Sequence, residues 1–235
     1  MPYRFEATKD YLVSEQKIKT LIYFAKQEDK KGNDENRVLF LKLGVVILVT
    51  RFQVYVEKAL AEFEYELKQA NKLNGVLPLH LRLYSLKLHS EKNSIHGVLT
   101  NPLNFSKEKL TTVKSMISLL NEFCNDNGII PSDLKFDTKF PLGKQGLNEL
   151  KNLFKQIEGK NIFEDAKFDI NKLNEILSRR HNIIHEDANE QLTELKVKEY
   201  QDFISRVVKH IDKYLVSARK RRNVFVSGVQ ASKHL

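Results

Sequence analysis

The sequence predicts an all-α fold, a helical bundle with a long central helix and extra helices around it. Two observations carry that prediction. There are only 9 glycines and 5 prolines in 235 residues, with no tryptophan. Long stretches also hold apolar residues three and four apart, the spacing that lines one face of a helix. Strand signals are scarce.

The first helix is expected over residues 8–30, ending at the polar break Lys31-Gly32-Asn33-Asp34. Residues 35–73 then hold no proline and one glycine. Val45, Leu48, Val49, Phe52, Val56, Leu60 and Phe63 share one helical face there, which makes this stretch the central scaffold. Asn74-Gly75 and Pro78 break the pattern. Residues 79–88 and 106–125 read as further helices, the latter with Ser106 as N-cap.

Residues 126–143 contain Pro131, Pro141, two glycines and several Asp and Asn residues, so they read as a connection inside one domain. Three helices are expected after it, over residues 144–157, 171–186 and 193–222. Residues 223–235 read as a frayed tail, and the whole chain, 1–235, as a single domain. No internal repeat, heptad series or low-complexity segment stands out.

Lysine plus arginine outnumber the carboxylates 39 to 30, giving a net charge of +9 and a pI near 9.4. Such a balance favours polyanionic partners, although lysines spread beside glutamates along helices also make an ordinary solvated surface. The segment Ala218-Arg219-Lys220-Arg221-Arg222 admits two readings: cations favouring a helix C-terminus, or contacts to RNA phosphates.

The sole cysteine, Cys124, excludes an intramolecular disulfide and fits a reducing cytosol. It is expected to be a small buried hydrophobe. The N-terminus lacks the pattern of a secretory signal. The most apolar run, residues 43–49, is far short of the roughly 20 residues that span a bilayer. A cytoplasmic protein without a membrane partner is therefore expected.

No glycine-rich phosphate loop, dinucleotide fingerprint or nucleophile elbow is present. Of the seven histidines, only His181 and His185 stand at i, i+4 spacing, and they fall beside Arg179 and Arg180. The zinc signature HExxH would need a glutamate after the first histidine, where Asn182 stands. Neither a metal site nor a cofactor is expected. The remaining chemistry is acid–base work on a phosphodiester, with imidazoles to move protons and a guanidinium to hold phosphate oxygens. RNA supplies its own nucleophile, the 2′-hydroxyl, so such a site needs no metal.

Spacing alone is weak support, because ten arginines and seven histidines give an Arg-to-His match about once by chance. Arg82 and His89 match as well, without further polar context. The helical wheel is more informative: Leu173, Ile176, Leu177, Arg180 and Ile184 form one stripe. An arginine interrupting an apolar face needs an anionic partner, which points to a cleft or subunit interface. His181 and His185 flank that stripe with Asn174 and Ser178. Ile183 and Ile184 read as core.

The string Leu177-Ser178-Arg179-Arg180-His181-Asn182-Ile183-Ile184-His185-Glu186-Asp187 resembles the signature of the HEPN superfamily: an arginine, a polar residue, apolar residues and a histidine near the end of a helical domain. The Gly146 to Phe154 helix, with Ile157 and Phe163, looks like the bacterial defence and toxin-type branch. Residues 40–60 are similar to the long second helix of those proteins. The resemblance covers about residues 35–215. Arg179 leaves the motif arginine open by one position; Arg180 is favoured because a polar residue then follows it. The family more often has asparagine or aspartate where His181 stands.

The resemblance implies a metal-independent endoribonuclease of toxin, abortive-infection or antiviral-defence type. Two protomers would face their motifs toward each other in a homodimer with a composite active site, and an antitoxin or inhibitory partner protein would be possible. Carried over, His185 is general base or acid, Arg180 stabilises charge on the phosphorus oxygens, and His181 orients phosphate or shares the proton transfer. Arg179 and Asn182 become RNA-contacting residues. The alternative it allows is a non-catalytic HEPN-like module that binds a nucleotide, RNA or a protein.

Overall fold

An asparagine within the first polar break caps the longest helix. In the computed structural model, Asn33 Oδ1 accepts the backbone N–H of Asn36, and Gly32 takes a positive φ of 72° that reverses the chain. Helix α1 (Glu6–Lys30) precedes this turn and α2 (Asp34–Gln69) follows it.

The structure describes residues 5–93, 107–141, 146–164, 166–185 and 191–222. Beyond α1 and α2 these form α3 (Leu79–Asn93), α4 (Lys107–Cys124), α5 (Gly146–Glu158), α6 (Ile170–His185) and α7 (Glu194–Arg221). A 3-10 turn at Asn74–Val76 stands where Asn74-Gly75 was expected to break the pattern. Among the described residues there is no strand, only an isolated bridge between Leu73 and Ile129. The fold is all-α and HEPN-like. The expected N-cap Ser106 and the tail 223–235 lie outside the described residues.

The chain clusters into two units. The first comprises Met1–Glu62, Thr138–Leu153 and Asn161–Val216. Its core is the apolar face of α2, where Val45, Leu48, Val49, Phe52, Val56 and Leu60 are fully buried. Gly44 lets α7 come close, since a Cβ there would lie 3.4 Å from Val197. A polar knot ties α1 and α2 to α7. Thr8 donates to Asp212 at 2.7 Å, and the Tyr55 hydroxyl reaches both Asp212 (2.9 Å) and the Val208 carbonyl (3.1 Å). Burial raises the Asp212 carboxyl above its usual range, against the lowering effect of the two hydroxyls.

The second unit comprises Phe63–Asp137, Phe154–Lys160 and Ser217–Leu235. Phe63 packs on Phe136, and Leu81, Phe123 and Leu134 are fully buried. Asn74 and Arg82 both donate to the Phe123 carbonyl, at 2.6 and 3.1 Å, closing the C-terminus of α4. Arg82 also pairs with Asp126 at 2.7 Å, and His89 donates to the Asp133 carbonyl. This second Arg-to-His match is thus structural.

Three expectations need correction. Cys124 is exposed, because Phe123 takes the inward position at the end of α4 and its neighbour is rotated outward. Ile184, expected in the core, is 43% exposed, and Ile183 is half-buried. Length does not exclude a membrane span: an 18-residue window of α2 has mean hydropathy 1.8, enough by length and composition. What that face does here is pack against α1 and α7. Of the two readings of residues 218–222, the structural one fits Arg219 and Arg222, which are buried. Arg219 is paired with Glu66, and Arg222 with Glu158 at 2.6 Å.

Candidate functional site

Helix α6 begins where Asp169 Oδ1 accepts the N–H of Asn171 at 2.9 Å, a side-chain cap, and it runs without glycine or proline to His185. Leu173, Ile176 and Leu177 bury its apolar face. Leu177 sits against Gly146 of α5, where an added Cβ would be 3.3 Å away, so the glycine allows the two helices to meet. These contacts fix how the last two turns of α6 present their polar side chains.

Arg179 and Arg180 point to different surroundings. Arg179 faces α7: it lies 3.8 Å from Glu175 and its guanidinium is 5.7 Å from the centre of the Tyr200 ring. Glu175 also accepts the Tyr200 hydroxyl and lies 3.5 Å from Lys196. The Tyr200 hydrogen bond first, then the Lys196 and Arg179 charges, hold the Glu175 carboxyl below its usual range. Arg179 thereby belongs to a clamp between α6 and α7.

Arg180 is half-buried, and its Nε is buried without a hydrogen-bond partner. No carboxylate among the described residues pairs with it. One residue on, His181 is half-buried and its Nδ1 also lacks a partner. Its ring lies 4.5 Å from the ring of His185, centroid to centroid, at 45°. His185 is the last residue of the helix and is exposed. Asn182 is half-buried next to His181.

The sequence-predicted residues are therefore sorted by the fold. His181 and His185 are brought ring to ring, Arg180 Nε and His181 Nδ1 have no hydrogen-bond partner among the described residues, and Arg179 is occupied. Sequence reasoning missed Glu175, Lys196 and Tyr200, whose clamp sets the orientation of α6. The i, i+4 spacing of Glu175 and Arg179 was the available signal. A separate surface groove of about 260 Å³ lies between α1 and α2, lined among others by Tyr11, Lys17, Arg51 and Lys58. It contains no imidazole or other proton-transfer group suited to neutral pH.

A family model, RiboL-PSP-HEPN, matches residues 9–217, a span that holds most of α1, all of α2 to α6, and α7 up to its last turn. No curated protein and no solved structure matches the chain. The helical architecture, the motif segment at the end of α6 and the extent of the family match lead to one conclusion: this chain belongs to the RiboL-PSP-HEPN family, within the HEPN superfamily.

Proposed function

We propose that the protein is a metal-independent endoribonuclease acting in the cytoplasm as a toxin or anti-phage defence effector. Membership of a HEPN family suggests nuclease or RNA-related function. The observation that carries the finer reading is the His181 and His185 pair next in sequence to Arg180, whose Nε has no hydrogen-bond partner among the described residues. A guanidinium with an open nitrogen suits phosphate oxygens, and an exposed imidazole suits proton transfer at neutral pH.

In this mechanism one imidazole, assigned to His185, removes the proton of the RNA 2′-hydroxyl. The 2′-oxygen attacks phosphorus, and the bond to the 5′-oxygen breaks as that oxygen takes a proton from a second imidazole. Arg180 stabilises the charge building on the non-bridging oxygens. The products are a 2′,3′-cyclic phosphate and a 5′-hydroxyl. His181 lies close enough to His185 to orient the phosphate or share the transfer. Asn182 contacts RNA beside it. Arg179, tied to Glu175, acts by positioning the helix.

The second imidazole can come from a second copy. Ile184 is exposed next to the motif, an apolar contact suited to pairing two α6 ends across one composite cleft. A protein inhibitor covering that cleft would silence it.

The test is incubation with total RNA in EDTA, beside an Arg180→Ala, His185→Ala double variant. Cleavage by the wild type alone is expected. Cleavage by both proteins, or by neither, sinks the assignment. RNA retained but left intact would instead identify a non-catalytic HEPN-like binding module.

A further inference from the structure

Helix α4 turns two different faces outward and inward. Inward, Phe123 fixes it: its ring lies 6.1 Å from that of His89, and its carbonyl accepts from Asn74 and Arg82. Around the helix from this anchor runs a second apolar row: Leu110, Val113, Ile117 and Leu120, at spacings of three, four and three. Leu110, Ile117 and Leu120 are 44, 54 and 50% exposed, and Val113 is half-exposed. That spacing is the a/d seam of a coiled coil over two heptads. It is shorter than the three or four heptads by which a sequence pattern declares itself.

Apolar side chains aligned at this period and left in water are suited to docking. The charges beside them specify what docks. Lys107 and Lys114, both exposed, flank the row at equivalent heptad positions, while the carboxylates of α4, Glu108 and Glu122, fall on the far side of the helix. A second copy of α4 would set lysine against lysine. The chain's own segments 94–106 and 223–235 contain no aspartate or glutamate, so neither complements the flanks.

We propose that α4 docks an acidic amphipathic helix of another protein. Leucine or isoleucine side chains of that helix would fill the row Leu110, Val113, Ile117, Leu120, and glutamates or aspartates beside them would meet Lys107 and Lys114. This surface belongs to the second unit and stands independently of the ribonuclease reading.

Two synthetic peptides of about 21 residues, three heptads long, serve as probes for the full chain. Both carry Leu and Ile at a and d; one has Glu and the other Lys at e and g. The Glu peptide is expected to bind about tenfold more tightly than the Lys peptide, by fluorescence anisotropy at low salt. Ile117→Asp should lose most of that binding, and Lys107→Glu, Lys114→Glu should reverse the preference. Leu120→Ser gives a milder second probe of the row should Ile117→Asp lower the helix content. Equal binding of both peptides, or binding indifferent to Ile117→Asp and Leu120→Ser, overturns the proposal. So does association with phosphatidylserine vesicles in place of the Glu peptide, which would make α4 a membrane-surface helix.

Discussion

The rings of His181 and His185 stand 4.5 Å apart on consecutive turns of α6, tilted by 45° and close enough to work on one phosphodiester. Groups that act as a unit lose their effect together. His185→Ala is expected to lower RNA cleavage by about 10²–10⁴-fold, and His181→Ala by less. The double variant should be no slower than His185→Ala by more than a few-fold. A fluorogenic RNA substrate followed under single-turnover conditions measures all three, and multiplicative losses would show that the two imidazoles act independently.

The neighbouring arginines separate just as cleanly. Arg180 pairs with no carboxylate among the described residues, so Arg180→Ala should leave thermal stability unchanged and cut the rate by about 10²–10³-fold, the cost of losing one transition-state donor. Arg179→Ala should do the reverse. Its partner Glu175 is partly exposed, so the cost is about 0.5–1 kcal/mol, and the catalytic rate should stay within a few-fold. Rate and melting temperature on the same preparations decide which arginine belongs to the chemistry.

Much of this was legible in the sequence because helices report their buried faces by period. The α2 stripe from Val45 to Phe63 was readable residue by residue, and all seven of its members are fully buried. The wheel of α6 likewise placed Arg180 on the apolar side, where it is half-buried. The i, i+4 spacing of Glu175 made half of the Arg179 clamp readable; the other half was not, since Tyr200, and the Lys196 that shares Glu175, come from another helix. Ile184 misled for a related reason: the wheel gives a direction, but no element of the described chain reaches the end of α6 to cover it. The arginines at the end of α7 left a structural and a phosphate-binding reading both open, because their pairing with Glu66 and Glu158 is a tertiary fact.

Two carboxylates should give opposite pH signatures. The Asp212 carboxyl is raised above its ordinary 3.8 by burial, so the folded state takes up its proton more readily than the unfolded chain. Its contribution is full below that ordinary value and is lost as pH climbs through the raised one. The Glu175 carboxyl is lowered from 4.5, chiefly by the Tyr200 hydroxyl, so its contribution is present above 4.5 and is lost as pH falls. Melting curves between about pH 3 and 7 should therefore show the difference between wild type and Glu175→Gln growing with pH. The same difference for Asp212→Asn should shrink with pH.

The buried end of α7 supplies the last expectation. Arg222 is 3% exposed, donates to the carbonyls of Ala218 and Ile157, and lies 2.6 Å from Glu158, itself largely shielded from water. Removing one partner of such a pair strands the other charge, so Arg222→Ala should cost about 3–5 kcal/mol in urea unfolding. Replacing both partners removes the stranded charge, and Arg222→Met with Glu158→Leu should recover a large part of that loss. If Arg222 instead served RNA, the single substitution would weaken RNA binding and flatten its salt dependence while leaving the unfolding midpoint in place. Urea midpoints and RNA affinity across a salt series, measured on the same variants, separate a fold-holding arginine from a phosphate-binding one.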